Sequence, residues 1–146
     1  TRSPSTLFVL RLDKNRLYKL TPPVLMGQGD REPAWSPDSK RIAFSSDRLT
    51  SSVTRSRDLY VVNVTGTAMT RVTTASSNEY HPTWSPYGDQ LAFISDLSKS
   101  TEIYSLVLPR TGTTSIVPPS EKWQQLTSDE AYKSNPTWHG NIGLAD

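Results

Sequence analysis

The apolar positions of this 146-residue chain cluster in short runs bounded by turn residues. Ile42-Ala43-Phe44 and Leu91-Ala92-Phe93 are continuous apolar triplets, as expected of strands covered on both faces. Thr6–Leu12, Asp58–Val64 and Glu102–Leu108 are longer runs rich in branched and aromatic residues, which also predict strands. Tyr18–Thr21, Thr70–Thr73 and Gln124–Thr127 are shorter runs, each ending in Thr. Ahead of each triplet stands Pro-x-Trp, a brief extended segment, followed by Ser-Pro-Asp-Ser or Ser-Pro-Tyr-Gly. Both tetrapeptides fit a type I turn, with Ser first and Pro second. Gly88 satisfies the preference for glycine at the fourth position and Ser39 does not. The first turn is therefore expected to be strained or to lean on a hydrogen bond from Asp38.

These elements recur in a fixed order. Laid over each other without a gap, Glu32–Asp47 and His81–Asp96 agree at eight of sixteen positions: Pro33/Pro82, Trp35/Trp84, Ser36/Ser85, Pro37/Pro86, Ala43/Ala92, Phe44/Phe93, Ser46/Ser95 and Asp47/Asp96. A third copy opens at Asn135-Pro136-Thr137-Trp138 and leaves the pattern at His139. The prolines at 33, 82 and 136 set periods of 49 and 54 residues. A four-stranded antiparallel unit of this length, repeated with a Trp and a tight turn, is the pattern of a β-propeller blade. The predicted fold is all-β. Residues 6–21 form half a blade, 32–74 one blade, 81–128 another, and 135–146 the start of the next.

The pattern P-x-W-S-P-[DY]-[SG]-x-x-[IL]-A-F-x-S-D, followed by [DE]-[LI]-Y, resembles the WD40-like PD40 repeat of TolB-type β-propellers. The resemblance covers nearly the whole chain. It implies a propeller scaffold that binds proteins and a periplasmic or extracellular setting. It also admits an accessory propeller gating a hydrolase, since peptidase-associated propellers share the repeat. A saccharide-binding propeller is a more distant reading, because those sites need several histidines and this chain has two.

Composition narrows the partners. Net charge is +2, the isoelectric point is about 9.0, and no Lys/Arg run exceeds two residues, which is too mild for nucleic acid. No apolar run approaches the roughly 18 residues of a membrane span. The absence of cysteine removes disulfide and thiol chemistry. No nucleophile elbow, His-Glu-x-x-His or phosphate loop is present, so no catalytic residue, cofactor or metal is assigned. Gly27 and Gly29 read as a turn and not as a dinucleotide fingerprint, because no helix pattern follows.

Candidate binding residues follow from propeller geometry. Fourth-to-first and second-to-third connections emerge on one face, at the channel mouth, and the other two connections on the opposite face. The mouth set is Glu32, Glu79, Tyr80, His81, Tyr132 and Lys133, with Arg48, Arg55 and Arg57 on the adjacent loop. This mixture suits a peptide or a polar small ligand, and each member also reads as a solvated loop residue. His81 reads more readily as a strand-end residue bonded to a neighbouring loop than as a metal ligand, and Glu32 and Glu79 as rim carboxylates. The motif tryptophans Trp35, Trp84 and Trp138 are expected between blades, where large rigid side chains bury most area. Trp123, outside the motif, is expected to be exposed. The strands amount to three blades displaced by half a blade, and three blades do not close a ring. The chain is therefore expected either to belong to a longer, six-bladed polypeptide or to form a homodimer by strand exchange about a two-fold axis.

Overall fold

A computed structural model describes residues 3–25, 27–48, 56–108, 119–129 and 131–138. Its described regular structure is almost wholly strand. A two-stranded hairpin comes first, β1 (Phe8–Arg11) and β2 (Arg16–Lys19), closed by a 3-10 turn over Leu12–Lys14 with Asn15 left-handed at φ 45°. Two four-stranded antiparallel sheets follow. The first runs β3 (Asp30–Trp35), β4 (Arg41–Ser46), β5 (Asp58–Asn63) and β6 (Thr70–Arg71), in that spatial order. The second runs β7 (Glu79–Trp84), β8 (Gln90–Ser95), β9 (Glu102–Val107) and β10 (Gln124–Gln125), with the same order. These are the four-stranded blades the repeat predicts.

Registers are the same in both blades. Phe44 pairs with Tyr60 and Phe93 with Tyr104. Each inner strand carries a bulge just before its proline, between Arg31 and Ala34 and between Tyr80 and Thr83. Glu32 and His81 sit in those bulges at φ 56° and 48°, a region non-glycine residues seldom enter. Asn135, one repeat on, has the same left-handed backbone at φ 45°, although no strand is formed there among the described residues.

The turns behave as their sequences require. Ser39 and Gly88 donate backbone N–H bonds to Ser36 and Ser85, both at 2.9 Å, and both are left-handed, at φ 57° and 70°. Where Ser39 replaces glycine, Asp38 Oδ1 accepts from Ser36 Oγ at 2.5 Å and from the Lys40 N–H at 3.1 Å. Gly29 is needed for a different reason: a Cβ there would stand 2.1 Å from Ser5 Oγ, where the chain start bridges to the loop.

Two apolar layers hold the blades. Ile42, Phe44, Tyr60 and Val62 face back towards Leu7, Val9 and Leu20 of the hairpin. Ala43, Leu59, Val61 and Val72 face forward onto Trp84, Leu91, Phe93, Tyr104 and Leu106 of the second blade. Trp84 is 6% exposed; its Nε1 donates to the Ala34 carbonyl at 3.0 Å and the Arg41 guanidinium lies 4.6 Å from its ring centroid. Two of the tryptophan expectations need correction. Trp35 is 52% exposed, because the described residues put no inner strand of a preceding blade against it. Trp123 is 7% exposed, with its ring edge-on to Phe93 and Tyr104. It caps the outer end of the second blade's apolar layer, a place that the short β10 leaves open.

Candidate functional site at the channel mouth

The bulges set the site. Each turns the residue before the motif proline out of the sheet register, at the end of the inner strand. On that face the second-to-third and fourth-to-first connections are tied together. Asp47 Oδ1 accepts the Gly29 N–H and Asp96 Oδ1 the Asn78 N–H, each at 2.7 Å, while Glu79 N–H donates to the Arg57 carbonyl. On the opposite face Val64 and Leu108 N–H groups bond Lys40 and Asp89, tying the other two kinds of connection together. The two faces divide as the sequence geometry requires.

Glu32 is the hub of the contacts on the first of these faces. Its Oε2 accepts from the His81 backbone N–H at 2.9 Å and from Ser45 Oγ at 2.8 Å. Its Oε1 stands 3.4 Å from Arg57 and 3.9 Å from His81 Nε2. The Arg57 guanidinium lies 5.1 Å from the Tyr80 ring centroid. Burial, then the nearby Asp96 carboxylate, raises the Tyr80 hydroxyl above its usual pKa. Side chains from both blades thus converge through one carboxylate. Beside them is a shallow pocket of about 220 Å³, lined by Glu32, Pro33, His81, Pro82, Asn135 and Pro136 among others, where three successive repeats meet.

The other candidates are dispersed. Arg48 is nearly buried and pairs with Asp30 at 2.5 Å. Tyr132 is 85% exposed. Lys133 reaches Asp129 and, at 3.6 Å, Glu102. Arg55, the 109–118 part of the expanded loop and everything from His139 onward lie outside the described residues.

Glu79 does not line the rim and does not meet Glu32. It is fully buried, accepting from Ser77 Oγ at 2.6 Å and Ser95 Oγ at 3.1 Å. Burial pushes its carboxyl up to about 7, against hydrogen bonds from Ser77, Thr73 and Ser95 and with help from Asp58. The preceding repeat explains the difference. There the equivalent acid, Asp30, accepts from Thr21 and Ser46 and is paired with Arg48. Leu97 stands at the Arg48 position in the second blade, so Glu79 has no such cation. The sequence reading missed this Thr–acid–Ser network. Its signal was available in Thr21, Thr73 and Thr127 ending every fourth strand.

Among the described residues no group of three or more acidic or histidine side chains is placed to hold a metal, and no helix is long and apolar enough to cross a membrane. A search among curated protein sequences gave no significant match. Solved structures share the fold. TolB from Acinetobacter baumannii is 24% identical with a TM-score of 0.59, over 88% of this chain and 28% of that one. TolB from Agrobacterium tumefaciens is 20% identical with a TM-score of 0.58, over 70% and 37%. The tricorn protease is 14% identical with a TM-score of 0.58, over 84% and 15%. The chain therefore matches well under half the length of each. The TolB β-propeller domain family model matches residues 33–141, and on that match the chain belongs to the TolB β-propeller (PD40) family.

Proposed function

We propose that this chain is a non-catalytic propeller scaffold that binds a protein or peptide through its channel-mouth face. The observation that carries the reading is the Glu32 hub. One carboxylate holds Arg57 and the His81 backbone from two blades, and Arg57 in turn lies over Tyr80, beside an open pocket on a pair of sheets. Rigid strands presenting polar loop and bulge residues are a common way to build a recognition surface. The mixture of one carboxylate, one guanidinium, an imidazole and an aromatic ring suits an extended peptide with charges of both signs. Retrieval from extract tests it. Partners retained by the unaltered protein should be lost on Arg57→Glu and on His81→Glu. They should remain on Lys122→Glu, which lies on the opposite face. Loss of retention with Lys122→Glu alone would put the binding surface on the wrong side for this reading.

A further inference from the structure

A threonine ends each fourth strand at a seam between repeats. Thr21, Thr73 and Thr127 accept the backbone N–H of Leu7, Leu59 and Ile103, at 2.9, 2.8 and 2.9 Å. Each hydroxyl then has one proton to give. Thr21 gives it to Asp30 at 2.6 Å and Thr127 gives it to Glu102 at 2.5 Å. These two acids hold different places in the repeat. Asp30 opens an inner strand, and its equivalents are Glu79 and Lys133. Glu102 opens a third strand, and its equivalents are Asp58 and Thr6. Of the three seams, the one at Thr73 is acidic in both places. The Thr73 hydroxyl acts on both carboxyls there, holding each lower than burial alone would.

The cations do not follow that doubling. Arg48 pairs with Asp30 at 2.5 Å, Lys133 stands 3.6 Å from Glu102, and Arg71 stands 2.6 Å from Asp58. The seams at Thr21 and Thr127 thus set one buried carboxylate against one cation. The middle seam sets two against one. Leu97 occupies the place from which Arg48 acts one repeat earlier, so Glu79 has no ion pair among the described residues. Asp58 and Glu79 are fully buried, and one oxygen of each, Asp58 Oδ1 and Glu79 Oε2, has no hydrogen-bond partner. Two ionised carboxylates that share one hydroxyl proton and one guanidinium are costly in a buried seam, and a single added proton removes the excess charge.

We propose that the Asp58–Glu79 pair holds one proton and so acts as a pH-sensitive latch between the two blades. Asp58 stays ionised against Arg71, and Glu79 carries the proton. The latch lies directly beneath the contacts that join the blades. The Glu79 N–H donates to the Arg57 carbonyl at 2.9 Å, and Tyr80 and His81 follow Glu79 in the inner strand. Burial raises both carboxyls, that of Glu79 to about 7. The latch is therefore fully closed below pH 4.5 and is released as pH rises through about 7. Other groups facing the pair do not replace it. Ser77 and Ser95 donate hydroxyl bonds to Glu79. The buried Tyr60 hydroxyl is pushed up to about 12 and keeps its proton throughout this range. Glu102, opposite Ser95 in the sheet, turns its carboxylate to Thr127 and Lys133.

Amide hydrogen exchange at about pH 5.5 and about pH 8.5, corrected for the intrinsic exchange rate, tests the latch. The Glu79 and His81 amides bond across the blades, to the Arg57 carbonyl and to Glu32 Oε2. Both should lose protection by about tenfold or more at the higher pH, while amides paired between β8 and β9 keep theirs. Leu97→Arg supplies the cation that Arg48 supplies one repeat earlier, and Glu79→Gln removes the titrating group. Each should hold the protection constant across the range. His81→Gln should leave the loss in place. Constant protection in the unaltered chain would overturn the proposal. So would a loss that survives Leu97→Arg or Glu79→Gln in folded protein, and so would a loss abolished by His81→Gln. If Glu79→Gln does not fold, Leu97→Arg decides alone.

Discussion

Equivalent residues in the repeat meet different fates according to what stands next to them. Trp84 and Trp123 are both enclosed, one between blades and one at the outer end of a blade. Replacing either with Ala should cost about 3–5 kcal/mol, from lost transfer energy plus a residual cavity. Tyr87→Ala, at an exposed turn, should stay within about 0.5 kcal/mol. Urea unfolding measures all three, and a small loss for Trp123→Ala would return it to the surface. Glu79 gives a prediction in pH. Its carboxyl is raised from 4.5 to about 7 in the folded chain, so the folded state holds the proton more tightly than the unfolded one. Its stabilising contribution is therefore fully present below pH 4.5 and declines as pH rises towards 7. Above that the ionised form should leave the folded state less stable by about 3 kcal/mol. Glu79→Gln should remove most of this slope, and an unchanged slope would mean that another group titrates. The motif proline and tryptophan positions were legible in the sequence because they repeat. The exposure of Trp35 and the burial of Glu79 were not, because both depend on a neighbouring element: the blade before Trp35, and the Leu97 that stands where Arg48 stands one repeat earlier.

At the scale of elements, local chemistry determined more. The apolar triplets, the Ser-Pro turns and the third strands rich in branched and aromatic residues predicted each blade's strand order, since turn type and burial on both faces are written in short windows. The left-handed fourth position of the turn is a direct test. Gly88→Ala keeps ordinary contact distances to Arg41 and Pro37 but forces a Cβ into φ 70°, and should cost about 1 kcal/mol. Ser39→Gly relieves the same conformation and should be neutral or stabilising by up to about 1 kcal/mol, offset by the greater freedom of glycine in the unfolded chain. Thermal unfolding of the pair should show opposite or at least unequal shifts; equal destabilisation would mean that Ser39 contributes contacts beyond the turn. The inner-strand bulges were not foreseen. The positive φ at Glu32, His81 and Asn135 has no glycine to announce it, and only its recurrence before the motif proline marks it as part of the repeat.

At the scale of the whole molecule, the division into two faces follows from strand order alone, and so was legible before any side chain was placed. Which of the residues expected at the mouth lie close together was legible only in part. Glu32, Tyr80, His81 and Arg57 come together. Glu79 turns inward, Arg48 is taken up by Asp30, and Lys133 is held by Asp129 and Glu102. Long charged side chains settle on the nearest buried opposite charge, and that choice is made across blades, beyond the reach of a sequence window. Backbone amide hydrogen exchange of the protein, free and with a retained partner bound, tests the assignment most directly. The account predicts new protection at Asp30–Glu32, Ser56–Arg57 and Tyr80–His81, with none at the Ser36–Lys40 and Ser85–Asp89 turns. Protection confined to those turns would contradict it.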